Sequence, residues 1–308
     1  MTDASGAGAA EQPPTVAIVV ITWNSAAQLP GLIESIPEGM AGTLSQLIIA
    51  DNASADDTVA LAQRLAPDCT VVQTGRNAGY AAGFNAGLAA ADRYDAALII
   101  NPDVRLSPGC VAALYAELGD GVGIVVPRIR NEDGTLARSL RREPTIARAL
   151  GEAVLGQRAG RFAALGEMVV DESAYAQAST ADWATGAVML MSARCLADCG
   201  PWDESFFLYS EETEFALRAR DRGHLTRYLP SAEVTHLGGE SRVSPRLWSL
   251  LQVNRVRLYR KRHSASATAL YWSAVMLRES SRAALGHTRS RSAAVALLRP
   301  SIVDGMGG

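Results

Sequence analysis

The chain is poor in cysteine and has no long apolar run. Four cysteines among 308 residues, Cys69, Cys110, Cys195 and Cys199, exclude a disulfide-stapled scaffold. Cys195 and Cys199 lack a second ligand pair at zinc spacing, so buried free thiols in a reducing cytosol are expected. No stretch approaches the ~18 apolar residues of a membrane-spanning helix. Positive charge is not in excess: a net charge of −3 argues against non-specific nucleic-acid binding, and no nucleic acid is expected as a partner. The first residues have no basic start. They are rich in Ala, Gly and Pro, with Asp3 and Glu11, so residues 1–14 are expected to be a disordered leader rather than a secretory signal, and the protein to be cytoplasmic. A P-loop and a G-x-S-x-G elbow are missing as well. There is no internal repeat. What is present is a globular balance, 48% hydrophobic and 20% charged, with enough apolar mass for a sizeable core.

The first ~120 residues alternate between two patterns. β-branched runs, Val16–Ile21, Leu47–Ala50 and Thr70–Gln73, and the apolar run that begins at Ala97 and ends at Asn101-Pro102-Asp103, read as strands. Between them lie segments that read as helices: one following Thr22-Trp23-Asn24-Ser25, one from Ser54 through Leu65, one from Tyr80 to about Ala91, and one over Pro108–Leu118. This alternation predicts an α/β fold with a parallel sheet covered by helices. Polar residues gather where the strands end. Thr22, Asp51, Asn77 and Asp103 should therefore share one rim, the edge at which open α/β sheets bind ligands. Asn101-Pro102-Asp103 ends the most apolar strand abruptly. On its own it could be a plain turn, but it could equally hold a divalent metal and the phosphates it bridges.

Regularity fades after a further strand at Gly121–Val126. Arg138, Arg141 and Arg142, extended by Arg148, Arg158 and Arg161, form a basic cluster, and Glu143–Ser179 reads as a mobile excursion. Order returns at Trp183 and the apolar Ala187–Met191. A Gly/Trp/Phe-rich approach then leads to Glu211, Glu212 and Glu214 at a helix start. Acids there suit the helix dipole, but in an apolar wall a glutamate can also take a proton from a hydroxyl. His236 ends a short β-like run and could complete a ligand set.

Together these motifs resemble a known family. Ile21-Thr22-Trp23-Asn24 looks like its nucleotide-binding opening. Asp51-Asn52-Ala53-Ser54-Ala55-Asp56-Asp57-Thr58 and the stretch from Asn77 to Gly87 look like its next two elements. Asn101-Pro102-Asp103 is similar to its D-x-D metal motif, and Trp183–Gly186, Phe206–Tyr209, Glu211-Glu212 and Val234-Thr235-His236 follow in the family's order. The family is the family 2 inverting glycosyltransferases of GT-A fold, in the rhamnosyltransferase-like branch. The resemblance covers residues 15–262. It implies a Rossmann-like, mostly parallel central sheet flanked by helices. The resemblance does not extend to residues 263–308, where the apolar Ala265–Leu277 followed by Arg278, Arg282, Arg289, Arg291 and Arg299 reads as a basic helical tail that packs on the domain or lies on a membrane surface.

The resemblance also implies roles. Thr22, Trp23 and Asn24 would line the nucleoside site, and Asp51 would contact base or ribose. Asn77, Gly79 and Asn85 would shape the nucleotide pocket, with Asn101 and Trp183 beside the sugar nucleotide. Asp103, helped by His236, would hold Mg²⁺ or Mn²⁺. Glu212 occupies the catalytic-base position, with Glu211 as the fallback. The expected donor is a nucleoside-diphosphate sugar, L-rhamnose from dTDP-rhamnose, and the expected acceptor is lipid-linked or a glycan. The chain departs from the pattern at Glu212, where the family usually has Asp, and at Glu214. An alternative is therefore a sugar-nucleotide-binding protein with weak or no turnover.

Overall fold

The computed structural model describes residues 13–238 and 244–304; the leader expected over 1–14 falls, but for Pro13 and Pro14, outside them. The chain opens with β1 (Thr15–Thr22), α1 (Leu29–Met40), β2 (Leu44–Asp51), α2 (Thr58–Leu65), β3 (Thr70–Gln73), α3 (Tyr80–Ala89) and β4 (Ala96–Ile100). Strands β3, β2, β1 and β4 lie side by side and parallel. Seven of the eight residues of β1 and all five of β4 are buried. That is why both strands read as unbroken apolar runs: helices cover both faces.

The apolar run from Ala97 stops before Asn101, where the sequence ends it. After Ile100 the chain turns at Asn101–Asp103, where Pro102 lacks an N–H and restrains Asn101. It then enters β5 (Val104–Leu106) at the far edge of the same sheet. Next come α4 (Cys110–Ala116), β6 (Val122–Asn131), β7 (Leu140–Arg141), α5 (Ile146–Leu155), β8 (Ser179–Ala181), β9 (Trp183–Ala184), β10 (Val188–Ser192), α6 (Ala193–Cys199), α7 (Glu211–Asp221) and β11 (Leu225–His236). Strand β10 enters antiparallel between β4 and β6, and β11 runs parallel to β6. At its end β11 pairs antiparallel with β5, setting His236 opposite Val104. Strands β7 and β9 form a separate two-stranded ribbon.

The segment read as a mobile excursion, Glu143–Ser179, is a built part of the fold. Thr145 caps α5 by accepting a hydrogen bond from Arg148 N at 3.2 Å. Arg142 donates to the carbonyls of Gly166 (2.8 Å) and Met168 (3.2 Å), and Arg148 to that of Ala163 (3.0 Å). Guanidinium groups bonded to carbonyls hold this region together with apolar anchors, Ala149 on the closing-helix core and Tyr175 on the sheet core. The carbonyl bonds spend both of these arginines of the basic cluster inside the fold.

Three helices close the described chain: α8 (Pro245–Arg262), α9 (Ala265–Ala284) and α10 (Thr288–Leu298). Ser244 and Ser264 cap the first two. Leu250, Val253, Tyr271, Val275 and Leu297 make a core of their own, joined by Ala149 from α5 and flanked by Phe207, Leu208 and Tyr209. Tyr259 and Tyr271 stack nearly parallel, 4.1 Å between ring centres. Among the described residues no helix is long and apolar enough to cross a membrane. The cysteines are free, three of them buried.

Candidate active site

The strand-end residues do meet on one rim. Thr22 and Asp51 are register partners at the ends of β1 and β2. The Thr22 hydroxyl donates to Asp51 Oδ1 at 2.9 Å, and Ser54 N donates to Oδ2 at 2.9 Å. Both Thr22 and Asp51 are buried. Asn24, in a left-handed conformation (φ 51°), accepts from Ala55 N at 2.8 Å and donates its own N–H to Ser54 Oγ at 2.8 Å. These bonds lock the two strand-end loops into one wall, from which Trp23 projects with 57% of its surface exposed. A large indole left bare beside a polar rim is a surface a flat ring can cover.

The neighbouring loop is set by Gly79. Its φ is 93°, and a Cβ there would lie 2.3 Å from the Phe207 carbonyl oxygen. Only glycine allows this approach, which lets Tyr80 N donate to the same carbonyl at 2.9 Å. Asn77 Oδ1 accepts from Gly79 N at 3.3 Å, and Asn52 Nδ2 donates to Gly79 O at 3.0 Å. Asn85 sits one turn further into α3. Its amide donates to the Trp202 carbonyl and to Glu204 Oε1, both at 2.9 Å, and accepts from Trp202 N at 2.9 Å. Both of its N–H groups are thus engaged by the loop before α7.

Two acidic centres bear on a tyrosine. The Tyr80 hydroxyl lies 2.8 Å from Asn101 Oδ1 and 2.8 Å from the Gly186 carbonyl. Burial pushes this phenol well above its ordinary range, and the negative charges of Glu211, Glu212 and Asp103 push the same way. In the first, Asp103 Oδ1 stands 3.1 Å from His236 Nε2, and Leu237 N donates to the Asp103 carbonyl at 2.9 Å. A Cβ at Gly238 would fall 2.1 Å from Asp103 Oδ2, so any larger residue there would push the carboxylate from its present place. Among the described residues no three His, Cys, Asp or Glu side chains converge on a metal position. A two-ligand set of one carboxylate and one imidazole suits a cation whose remaining ligands are diphosphate and water oxygens.

The second is Glu211 and Glu212, raised on a strained approach. Tyr209 (φ 68°) and Ser210 (φ 78°) are both left-handed without being glycine. Asn254 of α8 braces them by donating to the Leu208 carbonyl at 2.9 Å and the Tyr209 carbonyl at 3.2 Å. Glu211 is 2% exposed; Glu212 is partly accessible; one oxygen of each, Oε2, is buried without a hydrogen-bond partner. Burial raises both carboxyls, Glu211 well above its ordinary range with Glu212 adding to it. Backbone N–H groups and Arg141 partly offset the rise at Glu212. Glu214 is spent on Arg218, at 2.7 Å, whose guanidinium also reaches the Pro201 carbonyl at 3.0 Å.

Trp183 is buried, its Nε1 donating to the Arg142 carbonyl at 3.1 Å, with the Arg141 guanidinium 5.8 Å from its ring centre. Sequence reading singled out neither Tyr80 nor Arg141 as a site residue. Tyr80 did stand inside the glycine-rich stretch, and Arg141 inside the basic cluster.

The family model for glycosyl transferase family 2 matches residues 17–170, half of the chain. The chain is 28% identical over 234 residues to the N-acetylglucosaminyl-diphospho-decaprenol L-rhamnosyltransferase of Mycobacterium tuberculosis, a match covering 71% of this chain and 75% of that one. Among solved structures it resembles GalNAc-T7 with UDP, GalNAc and Mn²⁺ (TM-score 0.64, 14% identity, 96% of this chain and 58% of that one). It also resembles TarS of S. aureus (TM-score 0.52, 13% identity, 86% of this chain), of which it spans 42%. These likenesses assign the GT-A fold. With the sugar-nucleotide motifs in order along one sheet edge, the chain belongs to glycosyl transferase family 2, the glycosyltransferases that act on sugar-nucleotide donors.

Proposed function

We propose that this protein moves a sugar, with L-rhamnose from dTDP-rhamnose as the leading donor, onto a hydroxyl of a lipid-linked or glycan acceptor with inversion at the anomeric carbon. The observation that carries this reading is that two acidic centres, Asp103–His236 and Glu211–Glu212, both bear on the Tyr80 hydroxyl, which links Asn101 to Gly186. One pair lies where a departing diphosphate would be held, the other where an acceptor hydroxyl would give up its proton. The rhamnosyl donor and lipid-linked acceptor are suggested by the mycobacterial relative's name. An acceptor of that kind would be met at the cytoplasmic face of a membrane.

Each residue then has a task. Trp23, with the wall formed by Thr22, Asn24 and Asp51, would receive the nucleoside. Asn77 and Gly79 would set the loop over the nucleotide, and Asn85 would hold the Trp202 loop against it. Asn101 and Trp183 would border the sugar. Asp103 and His236 would hold Mg²⁺ or Mn²⁺, which supplies Lewis-acid stabilisation of the diphosphate. Glu212, the more accessible of the two glutamates, would take the acceptor proton as that oxygen attacks opposite the leaving group. Charge builds toward an oxocarbenium-like centre, as in glycoside chemistry.

The test is nucleoside-diphosphate release from a panel of sugar nucleotides, with and without Mn²⁺ or Mg²⁺ and with a polyprenyl-diphosphate sugar as acceptor. Metal-stimulated release that disappears in Asp103→Ala and in Glu212→Gln is expected, with an anomerically inverted product. A second reading, binding without turnover, rests on Glu212 reaching one methylene further than the family's aspartate. Tight donor binding with no release for any donor would favour it and overturn the transferase reading.

A further inference from the structure

Ten of the fourteen exposed large hydrophobic residues among the described residues lie in two short regions, 150–162 and 270–302. Both belong to the layer of α5 and the three closing helices, not to the sheet domain. The two regions meet. The Arg282 guanidinium, near the end of α9, comes within 3.3 Å of where a Cβ on Gly156 would sit, at the end of α5. The turn that follows α5 and the turn that joins α9 to α10 are therefore neighbouring tips of one surface.

Apolar side chains crown both tips. Val154 is 75% exposed and Phe162 55%; across from them Leu285 is 79% exposed. These are not core residues caught at an edge: the cores of α5 and α9 use other positions, Ala149 on the first and Tyr271, Ala274 and Val275 on the second. The charge around them has one sign. No Asp or Glu occurs between residues 153 and 166 or between 280 and 303, while Arg158, Arg161, Arg282, Arg289, Arg291 and Arg299 do. The carboxylates that border these stretches are occupied: Glu152 and Glu167 by Arg255, Glu279 by Arg278. A chain of net charge −3 thus carries a locally cationic face studded with bare apolar side chains. Its cations are arginines, whose planar fork matches phosphate oxygens; the one lysine of the chain, Lys261, lies elsewhere.

We propose that the face formed by the turn after α5 and the turn between α9 and α10 docks onto an anionic phospholipid bilayer, Val154, Phe162 and Leu285 entering the headgroup boundary while the arginines pair with lipid phosphates. This deepens the reading of a lipid-linked acceptor by naming the surface that meets its membrane. The docked layer also braces the catalytic loop, since α8 holds the carbonyls of Leu208 and Tyr209 just before Glu211.

The experiment is co-sedimentation of the full chain with phosphatidylcholine vesicles, with and without a phosphatidylglycerol fraction. Binding is expected only to the anionic vesicles. The Arg158→Gln/Arg161→Gln variant should partition about 25-fold more weakly, each cation near an anionic surface being worth about fivefold. Phe162→Glu/Leu285→Glu should lose binding at least as severely. Melting temperature and donor-dependent diphosphate release in solution should stay those of the parent in both variants. The proposal is overturned if the parent ignores anionic vesicles or if both variants bind as it does. It is also overturned if sedimentation velocity shows a dimer that Leu285→Glu splits, which would give the face to a second copy. Vesicle binding is read without sugar transfer, so its failure and the failure of the transferase reading are separate results.

Discussion

Glu211 and Glu212 share a helix start and a dry wall, yet the wall treats them differently. Glu211 is sealed, and Glu212 is partly open to solvent. Removing the proposed base while keeping its shape, as Glu212→Gln, should lower kcat by about 10²–10⁴-fold and leave donor affinity unchanged. Because burial raises the Glu212 carboxyl, the acid limb of kcat/KM should fall off above the ordinary glutamate range as pH drops, and that limb should vanish in the variant; rate–pH profiles check both. Glu211 makes a different prediction. Its folded-state pKa is raised by burial and by Glu212, so its contribution to stability is complete below the unfolded value and lost as pH rises through the folded value. Glu211→Gln should therefore melt a few degrees higher than the parent at neutral pH, with the gain shrinking toward pH ~4. A thermal-melt series against pH reads this directly. An equal gain at every pH would mean the carboxylate carries no charge cost in the fold.

Helix α3 and the loop before α7 show how elements more than a hundred residues apart build one site. The Asn85 amide satisfies both backbone groups of Trp202, whose ring stacks on Phe215 at 5.3 Å and packs on Phe84 at 5.0 Å. Truncation as Asn85→Ala would leave a buried N–H and carbonyl without partners. It should cost about 1–3 kcal/mol in chemical denaturation and raise KM for donor more than it lowers kcat. The sheet edge itself was legible in the sequence. Val16–Ile21 and Ala97–Ile100 announce doubly covered strands by composition alone, and their polar ends follow. The task of Asn85 was not legible, because its partner stands 117 residues later. Nor was the order within 143–179, where the bonds from Arg142 and Arg148 to carbonyls leave no periodic mark in the sequence. The Asn101–Asp103 turn was found, but not that Val104 leaves it to pair with His236, the contact that brings Asp103 and the imidazole together.

The closing helices are joined to α5 and the loop that follows it by charge as well as by apolar packing. Arg255 of α8 reaches Glu152 of α5 at 3.1 Å and Glu167 of the following loop at 2.6 Å, all three side chains at most 16% exposed. Beside it Glu279 is fully buried, held by Arg278 at 2.7 Å and by Trp248 Nε1 at 2.8 Å. The Glu167 carboxylate also feels Arg141, the same guanidinium that offsets the rise at Glu212. A buried network of this kind is weak support for stability against an apolar replacement, but it is costly to break from one side. Arg255→Met should strand two carboxylates and cost about 3–5 kcal/mol. If the loss comes from those stranded charges, Glu167→Gln in the Arg255→Met background should restore part of it, although Glu167→Gln alone destabilises the parent. Denaturant melts of the four proteins in the cycle would show the coupling as a departure from additivity. Strictly additive losses would mean that Arg255 acts through the packing of its stem, and that its ion pair with Glu167 adds nothing to the hold of α8 on the α5 segment.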